Sequence, residues 1–365
     1  MLRISWLITA LAAAALSIAS PLGKVKAVQT FDSLPRLVLY FQTTHHPNGA
    51  PISMLPLVNQ KGIALTHLIV CSLHVNEGGE IHLNNYPPSH PVFYTLWNET
   101  KVLKNAGVKI MGMVGGAAPG SFTKGTLDGN HATFMKYYRQ LRDIIRRFQL
   151  QGLDIDVEQP MSQRGIERLI NQLRRDFGRD FIISLAPVAS ALKNGGNLSG
   201  FDYERLEARS GSKISFYNAQ FYSGFGTMAN TYDYTSIVSN DFEASRVVAG
   251  QLTTPSNGYG YIPFESLNAT VASLKSRYGE IGGVMGWEYF NSRPGGTAEP
   301  WEWAQIMTQI LRPDSVPRLA ITKVTADRLT AAYHQSKASS ADSHVLKLGQ
   351  TPSTPDVDYY AMVNA

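Results

Sequence analysis

The segment Gln151-Gly152-Leu153-Asp154-Ile155-Asp156-Val157-Glu158 alternates acids with large aliphatics. On a β-strand, successive side chains point to opposite faces. Asp154, Asp156 and Glu158 would therefore share one face, with Leu153, Ile155 and Val157 on the other. A line of like charges raises the proton affinity of its members, and crowding it away from water adds to the effect. Glu158, last in the run, is placed to stay protonated and act as a general acid toward a cleft. Asp156, two residues back, would orient a polar group of the substrate. The plainer alternative is a solvated acidic strand face. The apolar opposite face and the loop that follows at Gln159-Pro160 argue against it. Carboxylates could instead hold Mg, Ca or Mn, but more ligands would be needed. His45-His46 and His67 do not have metal-motif spacing, so neither a metal nor another cofactor is expected.

Elements that could present these acids recur along the chain. Eight apolar, β-branched-rich runs fall at 36–42, 65–75, 108–114, 152–158, 181–187, 214–222, 246–252 and 282–289. Helix-like segments lie between most of them, at 93–105, 132–148, 162–177, 203–208, 234–240 and 264–278, and a last one follows at 300–311. This rhythm predicts an α/β fold, a (β/α)8 TIM barrel forming a single catalytic domain over 28–312. A doubly wound sheet is the structural alternative, but no Gly-rich nucleotide fingerprint follows the first run. In such barrels active sites lie at the C-terminal strand ends. Glu158 ends the fourth run, Tyr222 the sixth, Trp287 and Glu288 lie near the end of the eighth, and Gly115-Gly116 follow the third. Residues far apart in sequence would thus converge on one rim.

The chain has 365 residues, 44% hydrophobic and 17% charged, ordinary for a globular protein. Arg3 and the apolar run 4–18, followed by small residues, read as a secretory signal, with a processing point near Ala27. Arg3, Lys24 and Lys26 fall in this leader, leaving +2 of the formal +5 charge on the mature chain. No Lys/Arg cluster of nucleic-acid type appears; Arg146-Arg147 and Arg174-Arg175 sit on helical, solvated faces. No later stretch reaches membrane-span length, so we expect a secreted, extracellular protein, free of the membrane once the signal is cleaved, and a monomer. Sequons at Asn98, Asn197 and Asn268 fit export and mark candidate glycosylation sites. Cys71, the only cysteine, lies in an apolar run and reads as a core thiol. Residues 313–365 change texture to Pro, Ser and Ala, with a short helix expected at 325–333, and read as a C-terminal extension open to processing.

The acidic run resembles the Asp-Gly-x-Asp-x-Asp-x-Glu signature of glycoside hydrolase family 18, which includes chitinases and endo-β-N-acetylglucosaminidases. Met113-Val114-Gly115-Gly116 is similar to that family's Ser-x-Gly-Gly, with Met for Ser. Gln220-Phe221-Tyr222 resembles its sixth-strand motif, and Gly283-Val284-Met285-Gly286-Trp287 its eighth. The resemblance implies that Glu158 protonates the glycosidic oxygen while the substrate's 2-acetamido oxygen attacks the anomeric carbon. It implies that Asp156 holds the acetamido N–H, Asp154 tunes Asp156, Tyr222 aims the acetamido carbonyl, and Trp287 stacks beneath the −1 sugar. Gln151 replaces the signature's first Asp and Val157 a Trp common in chitinases; strand parity turns both away from the acids. Gln42, Gln220, Asn218 and Glu288 are candidate sugar ligands, whereas Trp301 and Trp303, on the last predicted helix, read as packing.

A longer similarity, from about Pro35 to the C-terminus, is to fungal secreted endo-β-N-acetylglucosaminidases. It runs through Tyr40-Phe41-Gln42-Thr43-Thr44-His45, the segments 113–120, 158–162, 220–226 and 287–291, and the terminal 357–365. It implies cleavage between the two core GlcNAc residues of high-mannose N-glycans on glycoproteins, leaving one GlcNAc on the protein. A chitinase of the same family is the alternative. A catalytically inactive glycan-binding relative is a further one, although Glu158, Asp156 and Tyr222 are all present.

Overall fold

The computed structural model describes residues 34–314. The leader and the tail beyond 314, including the helix expected at 325–333, lie outside the described residues. Among the described residues the strands are β1 (Arg36–Phe41), β2 (His67–His74), β3 (His82–Leu83), β4 (Lys109–Gly116), β5 (Gly152–Val157), β6 (Ile182–Leu185), β7 (Phe216–Gln220), β8 (Val247–Leu252) and β9 (Gly283–Trp287). All but β3 run parallel in one ring, closed because β1 pairs with both β2 and β9. The short β3 pairs antiparallel with the end of β2. Each of the eight expected runs becomes a barrel strand, confirming the (β/α)8 architecture.

The helices are α1 (Pro56–Asn59), α2 (Tyr94–Asn105), α3 (His131–Arg147), α4 (Gln163–Phe177), α5 (Tyr203–Ser210), α6 (Tyr232–Val238), α7 (Phe264–Tyr278) and α8 (Glu302–Leu311). Local chemistry fixes their ends. Ser162 caps α4 by accepting from the Gly165 N–H, and Gly178 stops it at φ 77°, a left-handed value that suits glycine. In α4, Ile166, Leu169, Ile170 and Leu173 recur at three- and four-residue spacing and are all buried. Each such side chain contributes roughly 1.5–3 kcal/mol through burial.

Two apolar layers result. The larger lies between strands and helices and holds Leu153, Ile155 and Val157. The smaller fills the barrel lumen with Val38, Tyr40, Ile69, Cys71, Met111, Met113, Phe216, Val248 and Met285. Asp154 and Asp156 have the opposite parity to the first set and stand among the second. The thiol of Cys71 is fully buried, and burial, then the charges of Glu288, Asp154 and Asp156, push it well above its ordinary value. It is a core group and not a nucleophile. Trp303 packs over Gly286, where a Cβ would lie 2.6 Å from the indole, so it belongs to the core as expected.

Candidate active site

Asp154 is fully buried and closely bonded. Tyr40 on β1 donates its hydroxyl to one carboxylate oxygen at 2.5 Å. Ser184 on β6 donates to the other at 2.5 Å, and the Asn218 amide on β7 adds a bond to it at 3.2 Å. Asn218 also donates to the Tyr40 oxygen at 3.2 Å. Burial raises the Asp154 pKa, and the bonds from Ser184, Tyr40 and Asn218 pull it back down. Burial, then the charge of Asp154, pushes the Tyr40 phenol well up, so it stays a proton donor.

Asp156 lies one pleat nearer the mouth. Burial raises its pKa well above the ordinary range, and the charges of Glu158 and Asp154 add to this. Glu158 follows the last residue of β5 and is half-buried. Burial raises its pKa as well, opposed by a hydrogen bond from Gln220. The Gln220 amide nitrogen lies 3.1 Å from Glu158 Oε1, 3.4 Å from Asp156 Oδ1 and 3.0 Å from the Ala186 carbonyl. It thus joins the two outer carboxyls. The backbone beneath them is anchored too. Ser199 donates its hydroxyl to the Val157 carbonyl at 2.6 Å, and Gln159 accepts from the Gly120 N–H at 2.8 Å.

Gly115 and Gly116 end β4 beside β5 with φ of 104° and 91°. A Cβ at Gly115 would stand 2.0 Å from the Asp156 carbonyl oxygen and 2.5 Å from the Phe122 ring. One at Gly116 would be 3.9 Å from Asp156 Oδ2. Their role is to let the strands close beside the acids. Tyr222 follows β7 and reaches the luminal cluster, which Tyr261 and Trp287 flank. Trp287 is half-buried and meets Tyr40 edge-on, centroids 5.4 Å apart.

The parity expectation for the altered motif positions holds. Gln151 accepts from the Ile110 N–H at 3.0 Å at the start of the strand, and Val157 is buried in the outer layer. Two expected sugar ligands are engaged elsewhere. Asn218 is fully buried in the Asp154 network. Glu288 accepts from the Thr43 hydroxyl at 2.7 Å and from the N–H groups of Thr43 and Gln42 at 2.8 and 3.0 Å. It latches the loop after β1 onto the end of β9. Gln42 is among the residues that line a cavity beside that latch. Reading single strands missed Tyr40 and Ser184, which reach Asp154 only because the sheet closes. A luminal parity shared with Val38 was the available signal for Tyr40. Among the described residues no group of three or more His, Cys, Asp or Glu is arranged to hold a metal ion.

Comparison with known proteins adds an independent line. The family described as Glycosyl hydrolases family 18 matches residues 36–257. The structure of a fungal endo-β-N-acetylglucosaminidase from glycosyl hydrolase family 18 is 67% identical, with TM-score 0.77, covering 78% of this chain and 100% of that one. The chitinase ChiC from Aspergillus fumigatus is 50% identical, with TM-score 0.68, over 75% of this chain and 98% of that one. Chitinase 2 of Rhizopus oligosporus is 30% identical over 148 residues, which are 38% of this chain and 25% of that protein's length. The chain therefore spans about a quarter of this curated relative.

Proposed function

The chain belongs to glycosyl hydrolase family 18, and on that premise we propose that it is an endo-β-N-acetylglucosaminidase. Its substrate would be the β-1,4-linked GlcNAc pair at the core of high-mannose N-glycans on glycoproteins. The observation that carries the chemistry is the disposition of carboxyls. Asp156 and Glu158 share the Gln220 amide on one side of the mouth. Asp154 and Glu288 have their oxygens filled by internal donors. Asp156, the remaining carboxyl, lies two residues before Glu158 along the same strand and on the same side of the mouth, not across from it, which fits attack by the substrate's own acetamido oxygen.

In this mechanism Glu158, whose proton affinity burial raises, gives its proton to the leaving oxygen. Asp156 accepts the acetamido N–H and stabilises the positive charge that develops on the oxazolinium ion. Tyr222 aims the acetamido carbonyl, and Trp287 forms the floor of the −1 sugar site. Water then opens the intermediate with retention, and Glu158 acts as the base. The 67% identity to a fungal enzyme described by this activity supports the glycan over chitin. The 50% identity to a chitinase supports the second reading, a chitinase with the same chemistry.

Export accompanies this reading. The leader supports it, and the sequon residues Asn98, Asn197 and Asn268 all lie at exposed positions, although the Asn197 amide donates to the Phe201 carbonyl at 2.7 Å. Incubation with a high-mannose glycoprotein and, separately, a chitin oligomer decides between the two substrates. A single GlcNAc left on Asn, seen by mass spectrometry, supports the glycan reading; cleavage of chitin alone replaces it with the chitinase. Glu158→Gln should abolish both activities with the fold intact.

A further inference from the structure

The turn that carries Glu158 is tied at both ends to one residue, Ser199, in the loop between β6 and α5. Ser199 donates its hydroxyl to the Val157 carbonyl at 2.6 Å, and its own carbonyl accepts the Met161 N–H at 2.9 Å. One bond falls just before Glu158 and the other three residues after it. Ser199 is buried, so water does not compete for its hydroxyl. A serine hydroxyl has one proton to give, and the Val157 carbonyl takes it. The Tyr203 hydroxyl, 2.8 Å away at the start of α5 and also buried, must therefore be the donor in its contact with the Ser199 oxygen. A buried chain results, from Tyr203 through Ser199 to Val157, in which each bond polarises the next.

Asn197 shapes the turn around this serine. Its amide oxygen accepts the Ser199 N–H at 2.8 Å, and its amide nitrogen donates to the Phe201 carbonyl at 2.7 Å. Gly200, at φ 75°, lets this turn press on the loop after β5, where a Cβ would stand 2.9 Å from Pro160 Cα. Asn197-Leu198-Ser199 is also the second sequon, so the two residues that define it are both engaged in holding the catalytic turn.

A general acid must aim its proton at the leaving oxygen, and a displacement of about 1 Å at a reacting group can cost roughly a hundredfold in rate. The Gln220 amide holds the carboxyl of Glu158, and the direction of its backbone is set where Val157 and Met161 are tied. We propose that Ser199 is a positioning residue for the acid. With Tyr203 behind it and Asn197 closing its turn, it fixes where the Glu158 proton points, so this sequon serves the reaction through its own side chains, with or without a glycan. This rests on the reading of Glu158 as the general acid.

The test uses protein made in a bacterial host without N-glycosylation, which takes any glycan out of the comparison. Two substrates share one glycan. The first is whichever of the high-mannose glycopeptide and the chitin oligomer the parent cleaves, with a sugar hydroxyl as leaving group. The second is the dinitrophenyl glycoside of the same glycan, whose phenolate departs without a proton. On kcat/KM, which reports the step that expels the leaving group, Glu158→Gln should lose the first substrate and retain the second. Ser199→Ala should fall roughly tenfold or more on the first and stay within about twofold on the second. Tyr203→Phe and Asn197→Ala should show the same pattern more weakly. Because Tyr203 acts through Ser199, adding Tyr203→Phe to Ser199→Ala should cost nothing further. Equal losses on both substrates, or no loss on the first, overturn the assignment of Ser199 while the acid reading stands. Parental rates in Asn197→Ala remove the asparagine from the clamp. If Glu158→Gln still cleaves the first substrate, or the parent cleaves neither glycopeptide nor chitin, the acid reading falls and takes the clamp with it. Should circular dichroism show that Ser199→Ala does not fold, Tyr203→Phe decides by the same ratio.

Discussion

The hydroxyl of Tyr40 stands 2.5 Å from a carboxylate oxygen of Asp154, although β1 and β5 are not neighbours in the ring. The contact crosses the lumen and ties the deepest acid to the strand that closes the barrel. It also leaves Asp154 with a proton donor that burial prevents from ionising. Tyr40→Phe removes that donor while leaving the ring against Trp287. A hydrogen bond to a charged group is worth about 1.5–3 kcal/mol, so kcat should fall roughly 10- to 100-fold. Circular dichroism should remain native. A variant with unchanged kcat would remove Tyr40 from the machinery.

Asp154 lies in register with Met113 on one side and Ser184 on the other. The family signature has serine at the Met113 position, and here only the other neighbour supplies a hydroxyl. Ser184→Ala should therefore lower kcat roughly tenfold or more with KM little changed, since the lost bond is not to substrate. Placing a hydroxyl back on the opposite neighbour gives the sharper check. Met113→Ser combined with Ser184→Ala should recover part of the lost kcat, and a double variant no better than Ser184→Ala would show that the two positions are not equivalent.

These contacts mark what the sequence could and could not disclose. Buried β-branched runs such as 152–158 and 246–252 became strands because a parallel barrel strand is covered on both faces. The convergence of Glu158, Tyr222 and Trp287 followed from the rule that barrel sites lie at strand C-termini. The two-residue β3 and four-residue α1 were not foreseen, being too short to carry a period. Parity gives the face of a residue but not its height or its partners. Asn218 and Glu288 were thus expected at the sugar, whereas ring closure brings Asn218 to Asp154 and Glu288 to Thr43. Ser184 was missed for the same reason, since its meaning depends on a register with β5 that no single segment contains.

Gly115 tests how tightly the acids are held. Its φ of 104° and the 2.0 Å approach of a built Cβ to the Asp156 carbonyl leave no room for a side chain. The left-handed backbone alone costs an L-residue about 1–2 kcal/mol, and overpacking typically adds roughly 1–3. Gly115→Ala should lose roughly 2–5 kcal/mol in urea unfolding, and the surviving folded fraction should turn over slowly because Asp156 must shift. A variant of parental stability and kcat would show that this close approach is not required.

Gln220 opposes the effect of burial on the proton affinity of Glu158. Its amide donates to the ionised form of Glu158 and so lowers the pKa that burial raises. Removing the donor with Gln220→Met leaves burial unopposed, and the pKa of Glu158 rises further. The acid must be protonated to act, and in the protein that form persists to higher pH than for an exposed glutamate. The alkaline limb of log kcat/KM against pH should thus move upward in Gln220→Met, even as the maximum falls through loss of the Asp156–Glu158 link. A disturbance that only misplaced the carboxyls would lower the curve without displacing the limb. A limb that stays fixed or moves to lower pH would therefore separate Gln220 from the proton chemistry and leave it a structural tie to the Ala186 carbonyl.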